Sequence, residues 1–288
     1  MPLLPLSLLT ALTMVAFAGN SLLCRAALLE GAIDPASFTS LRLLSGALCL
    51  WLLVTLSPRL RQAPGARGSW PSALALFAYA AGFSFAYTQL SAASGALLLF
   101  GAVQASMIGY GLWRGERLNP RQWLGFALAI TGLVGLLLPG LQQPPLIASL
   151  LMIGAGVAWG VYSLRGRGAG NPTRVTAGNF LRAVPLAALL SLVTLASARL
   201  DGHGALLAIA SGALASGLGY ALWYRVLPAL KATQAATVQL SVPVIAALGG
   251  ALLLGEAIDL RLLLASAAIL GGIALVILST RPAKSGLG

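Results

Sequence analysis

Polar and apolar positions alternate along this chain in long blocks. Neither the two-residue period of a strand nor the polar face of a surface helix is present. Apolar runs cover residues 6–28, 35–56, 70–90, 92–112, 121–138, 146–164, 175–196, 205–226, 233–254 and 261–279. Each approaches or reaches the roughly 20 residues that carry a helix across the hydrocarbon core of a bilayer. The clearest breaks are "SPRLRQAPGARGSWP" (57–71), "RGERLNPR" (114–121), "PGLQQPP" (139–145), "RGRGAGNPTR" (165–174) and "ARLDGHG" (198–204). Only "SAAS" (91–94) separates the third run from the fourth. The pattern predicts an all-α membrane protein of ten transmembrane helices, because a spanning segment must satisfy its own backbone.

Composition narrows this further. The 288 residues are 58% hydrophobic and 8% charged, with mean hydropathy +0.91. Soluble domains carry about 25% charged residues. The net charge is +12 and the pI about 11.1, yet there is no basic block and no interleaving of aromatic with basic residues. Nucleic-acid binding is excluded on that ground. The basic residues are loop charges instead. With the N-terminus cytoplasmic, thirteen of the eighteen fall on the inner side. Arg25, Arg199 and Arg261 fall on the outer side, and Arg42 and Arg182 lie within spans. This bias predicts an N-in, C-in topology. The opening "MPLLPLSLL" lacks a basic n-region and a small-residue cleavage site, so it reads as a first span. Cys24 and Cys49 fall near opposite faces, which predicts no disulfide. No motif calls for a cofactor or a metal. "GRGAG" (166–170) lacks the preceding strand and the Lys-Ser/Thr ending of a phosphate loop.

The chain also repeats itself. Arg42 in "SLRLLSG" and Arg182 in "NFLRAVP" stand 140 positions apart. The same offset aligns "RGERLNPR" with "LGEAIDLR" (254–261) and Gly132 with Gly272. Near the start, "VAFAGNSLL" (15–23) matches "VAWGVYSLR" (157–165) at an offset of 142. A tandem duplication of five helices explains these matches, with one unit at 1–145 and the other at 146–288. Because five is odd, the second unit is expected upside down relative to the first. Inverted-topology repeats are a mark of secondary transporters.

These residues resemble the EamA-type members of the drug/metabolite transporter superfamily, over nearly the whole chain. The resemblance rests on the arginine early in the second helix of each unit, on "SGLGYALWYRVLPALKATQAA" (216–236) and on "LSVPVIAALGGALLLGEAI" (240–258). The first unit departs from it, with Val103 where the second has Pro243. Within the superfamily the chain looks most like bacterial aromatic amino acid exporters of the YddG kind. That implies export of amino acids or similar small metabolites across the inner membrane. Ten helices can enclose a pathway in one chain, so a monomer is the expected working unit. A sugar or nucleotide-sugar carrier is the alternative, and a drug efflux pump a more distant one. A membrane enzyme would need a nucleophile and a base, and the one histidine, His203, lies in a loop with no embedded acid beside it.

The six acids, Glu30, Asp34, Glu116, Asp201, Glu256 and Asp259, all fall in loops or at helix ends. Proton-coupled carriers need a titratable group within the membrane. Facilitated diffusion or exchange of a neutral or zwitterionic solute is therefore expected. Uncharged polar and aromatic residues near mid-span form the candidate substrate site. They are Phe17, Asn20, Tyr79, Phe83, Tyr87 and Gln104 in the first unit. In the second they are Trp159, Tyr162, Ser163, Tyr220, Trp223, Gln239 and Ser241. Amides and hydroxyls there supply donors and acceptors for a zwitterion, and aromatic faces pack an apolar body. Tyr224 belongs to the same set. Tyr110, Trp51, Trp113 and Trp123 read as interfacial anchors. Gly156 with Gly160 permits close helix contact, and Pro243 is expected to kink its helix. Arg42 and Arg182 are expected chiefly to brace helix ends or a gate, with contact to a substrate carboxylate as the other role.

Overall fold

The computed structural model describes residues 3–29, 31–63, 65, 67–115, 117–138, 144–166, 170–230 and 238–279. Residues 1–2, Glu30, Pro64, Ala66, Glu116, 139–143 of "PGLQQPP", 167–169 of "GRGAG", 231–237 and the basic tail from 280 lie outside them. In chain order the helices are α1 (Leu3–Leu29), α2 (Pro35–Leu56), the short α3 (Pro58–Gln62), α4 (Trp70–Tyr87) and α5 (Ala92–Trp113). They continue with α6 (Pro120–Leu137), α7 (Leu146–Gly166), α8 (Pro172–Val193), α9 (Gly202–Val226), α10 (Ser241–Leu254) and α11 (Leu260–Leu278). Eight are long and apolar enough to cross a membrane. The protein is thus a multi-pass, all-α membrane protein. α4, with its Ser and Tyr residues, and α10, with 14 residues, fall short of that measure.

Helix starts follow local chemistry. Asp34, Asn119 and Asn171 each precede a proline, and each accepts hydrogen bonds from amides of the first turn. Ser69, Ser91, Asp201 and Asp259 cap α4, α5, α9 and α11 in the same way. Each cap contributes about 1 kcal/mol, and the proline spends no amide that the helix would have used. The third apolar run is shorter than expected. α4 stops at Tyr87, because Ser91 caps α5 and the chain must turn before it.

The packing pairs elements across the two halves of the sequence. α6 packs on α11, and α2 on α8. α4 lies along α7 as α1 lies along α9, and α5 packs on α7 as α1 packs on α10. The α6–α11 crossing is built on glycine. A Cβ on Gly132 would sit 2.7 Å from that of Ala268, and one on Gly272 would overlap the Gly125 carbonyl. The chain also turns alike after α5 and α10, where Gly115 (φ 91°) and Gly255 (φ 64°) both adopt left-handed backbone. Such φ values strain any residue with a side chain.

Contacts between loops join segments that the charge pattern assigns to one side. Asp34 N donates to Arg199 O (2.9 Å), and Asp201 N to Ala32 O (3.0 Å). Arg261 donates to the Gly135 and Leu138 carbonyls at the end of α6. At the other end Ser69 N donates to Asn179 Oδ1 (2.9 Å), Arg182 Nη1 to Arg67 O (2.8 Å) and Asn119 Nδ2 to Ser279 O (2.9 Å). Around the perimeter large apolar side chains face outward, Leu252, Ile147 and Val193 among them. The expected anchors Trp51, Trp113, Trp123 and Tyr110 are exposed with them.

Candidate functional site

α9 is the least regular of the long helices. From Ser211 to Leu218 its turns widen to a π-helix. This stretch, SGALASGL, brings Gly212 so close to α2 that a Cβ there would overlap Ser45 and the Arg42 carbonyl. π-turns are rare and gather at functional sites. Here the widened segment presents Ala215 and Ser216 to a narrow central cavity.

Both halves of the chain wall this cavity. α1 contributes Phe17, Asn20 and Ser21, α4 contributes Tyr79 and Phe83, and α5 contributes Leu99 and Phe100. The second half adds Trp159 from α7, Ala215, Ser216 and Tyr220 from α9, and Gln239 just before α10. The aromatic rings form one connected group. Tyr79 lies 4.9 Å from Trp159 and 5.5 Å from Phe83, and Trp159 lies 5.3 Å from Tyr220. Phe17 meets Tyr220 and Trp223 edge-on at 5.9 Å. Edge contacts of this kind hold rings rigidly, which gives the cavity a fixed apolar shape.

A polar network crosses that wall. Asn20 Nδ2 donates to the Tyr79 hydroxyl (3.2 Å), and Ser211 Oγ donates to Asn20 Oδ1 (2.6 Å). Arg42, 1% exposed, donates from Nη2 to the same Tyr79 hydroxyl (2.9 Å) and from Nε to Ser216 Oγ (3.4 Å). Its guanidinium carbon sits 5.1 Å from the Tyr79 ring centre and 4.9 Å from that of Phe83. Among the described residues no carboxylate pairs with it, and its Nη1 has no hydrogen-bond partner.

Beyond one end of the cavity the chain carries an ion pair. Arg25 is the next turn of α1 past Ser21, and Tyr87 the next turn of α4 past Phe83. Arg25 Nε donates to Glu256 Oε1 (2.9 Å), and its Nη1 donates to the Tyr87 (3.0 Å) and Thr88 (3.3 Å) carbonyls. Glu256 Oε2 accepts from Ala92 N (2.8 Å) at the start of α5. One clasp thus ties α1, the α4–α5 turn and the end of α10.

The comparisons with known proteins bear on this architecture. Residues 146–278 match the EamA-like transporter family. The likeness to that family lies in the second half of the chain. EamA-like proteins are transporters and not enzymes. An uncharacterised protein of Pseudomonas aeruginosa, PA1977, is 62% identical over 270 residues, which are 94% of this chain and 93% of that one. A protein of known crystal structure shares the fold, with a TM-score of 0.66 over 95% of this chain and 98% of its own, at 21% identity.

The second half supplies Trp159, Tyr220 and Gln239 to the cavity, and the first half Phe17, Asn20, Tyr79 and Phe83. Other candidates stand behind this wall. Tyr87 is buried against Phe83 (4.7 Å), Tyr162 stacks on Trp159 (5.3 Å), and Trp223 packs on Phe17. Tyr224 is partly buried against the core. Ser241 Oγ donates to Val238 O (2.6 Å), and Ser163 is half-buried on α7. Gln104 lies elsewhere, in a second hollow lined by α5, α6 and α11. Gly156 and Gly160 press α7 onto α5 at Leu99 and Ser106. Pro243 falls in the first turn of α10, just past an interruption at Leu240 that separates that helix from the helical residues 238–239, where a kink is expected. Arg182 is half-buried on two carbonyls, those of Arg67 and Gly178. The sequence did not signal Ser21, Leu99, Phe100, Ala215 or Ser216 as lining residues, nor the Arg25–Glu256 clasp.

Proposed function

We propose that this protein is a secondary transporter that moves neutral or aromatic amino acids, or similar small metabolites, outward across the bacterial inner membrane. It works as a monomer by alternating access between two inverted five-helix units, 1–145 and 146–288. The observation that carries this reading is the central cavity, whose wall is divided between the two halves. The matched pairing of α4 with α7 and α1 with α9 supports the inverted repeat, as do the paired glycines at 115 and 255. The grouping of loop contacts supports ten crossings with both termini on one side. A fixed aromatic wall with a few amide and hydroxyl groups suits a small molecule with an apolar body. All four described acids occupy caps or the clasp, Asp34, Asp201 and Asp259 at helix starts and Glu256 beside Arg25. This supports facilitated diffusion or exchange over proton antiport. The test is counterflow of radiolabelled solutes in proteoliposomes. Exchange of phenylalanine or tryptophan, weakened by Trp159→Ala, is the expected result. Absence of flux for every amino acid and metabolite offered overturns the reading.

A further inference from the structure

Arg42 raises a question that the transporter reading leaves open. A guanidinium 1% exposed in an apolar interior is costly unless a charge of opposite sign compensates it. Ring faces and hydroxyls surround it, but they carry no net charge. Its Nη1 has no hydrogen-bond partner among the described residues. Every partner it does have, Tyr79, Phe83 and Ser216, also lines the central cavity. The Tyr79 oxygen accepts from both Arg42 Nη2 and Asn20 Nδ2. Its own proton is therefore free to be donated, and the adjacent cation strengthens it as a donor. The wall thus offers a positive field and a polarised O–H, and no described residue lining it is acidic.

We propose that the cavity recognises a carboxylate on a small molecule with an aromatic or apolar body. Arg42 supplies the compensating charge and the Tyr79 hydroxyl makes the direct hydrogen bond. The apolar body packs against Phe17, Phe83, Trp159 and Tyr220. This rests on the transporter reading for its physiological meaning, but binding can be measured without transport. An amine or an alcohol with the same body meets donors and a like charge or no charge, and is rejected.

The experiment uses the full chain in detergent and reads thermal stabilisation by 3-phenylpropanoate, phenylalanine, hexanoate, 2-phenylethylamine and 2-phenylethanol. The three carboxylates are expected to raise the melting temperature, and the amine and alcohol to leave it unchanged. Tyr79→Phe keeps the ring and removes the donor, and should weaken carboxylate binding about tenfold, the usual effect of losing a hydrogen bond to a charged group. Arg42→Gln should abolish it. If Arg42→Gln does not fold, the Tyr79→Phe comparison still decides. Stabilisation by the amine or alcohol as strong as by the acids overturns the proposal. So does undiminished carboxylate binding by Tyr79→Phe, or silence of all three carboxylates. Carboxylate binding without counterflow in proteoliposomes would instead sink the transporter reading and leave the anion site standing.

Discussion

Replacing Glu256 by Gln tests the clasp beyond the cavity. The carboxylate holds Arg25 Nε and Ala92 N at once, and the two side chains are 11% and 12% exposed. Gln keeps the length and one oxygen but loses the charge. Removing one partner of a buried pair costs about 3–5 kcal/mol, and a single charged hydrogen bond about 1.5–3 kcal/mol. Arg25 keeps the Tyr87 and Thr88 carbonyls and Gln keeps one acceptor, so the loss should lie near the lower figure, about 2 kcal/mol. If the clasp holds that end of the cavity shut, this shifts the closed-to-open equilibrium about 30-fold. The assay is the rate at which a membrane-impermeant maleimide reaches a cysteine at Ser21, in a background without Cys24 and Cys49. Glu256→Gln should raise that rate about 30-fold, by the same conversion. A rate unchanged from the parent, with an unchanged melting temperature, would refute the reasoning.

Three further outcomes follow from the packing and the caps. Gly272→Leu drives a side chain into the Gly125 carbonyl and Ala129, and overpacking of this kind costs about 1–3 kcal/mol or more; detergent-extracted yield and melting temperature should both fall, and unchanged values would refute the tight crossing. Asp34 is pushed up by burial but, on balance, held below the usual carboxylate range by hydrogen bonds from Ser37, the Arg199 amide and Ala36. Its stabilisation is full above the ordinary value of about 3.9 and is lost as pH falls through the lower folded-state value; Asp34→Asn should flatten the acid limb of the melting curve, and an unaltered limb counts against it. Arg182→Gln removes the tie to the Arg67 carbonyl, so it should lower stability while leaving carboxylate binding intact; a matching loss of binding would show that Arg182 acts at the cavity.

The helix starts at Pro35 and Pro120 fall within a residue of the expected runs, but the helix expected from 175 begins at Pro172, where Asn171 caps it. Phe17, Asn20, Tyr79, Phe83, Trp159, Tyr220 and Gln239 were legible as cavity residues for a simple reason. In a chain surrounded by lipid, a polar or aromatic side chain at mid-span has nowhere favourable to face but inward. Gln104 obeys the same rule and faces a different hollow, which no one-dimensional pattern distinguishes. The two arginines misled in a more specific way. They match at an offset of 140, but the caps of their helices, Asp34 and Asn171, stand 137 apart. Arg42 is therefore seven residues past Pro35, and Arg182 ten past Pro172. Asn179, not Arg182, stands at the depth of Arg42, and each of them bonds a tyrosine hydroxyl, Asn179 that of Tyr162. A slip of three residues keeps the helix face and changes the depth by most of a turn. The Arg25–Glu256 pair spans 231 positions, and nothing local to either residue names its partner.

The uncompensated guanidinium of Arg42 has an electrical consequence. A unit charge carried across the whole membrane field exchanges about 2.3 kcal/mol per 100 mV. Any rearrangement that moves Arg42 through part of that field does a share of this work. With a carboxylate beside it the moving assembly is neutral, and the share vanishes. The empty protein should then feel the membrane voltage while the protein loaded with a monoanion does not. Voltage would act on the return stroke alone.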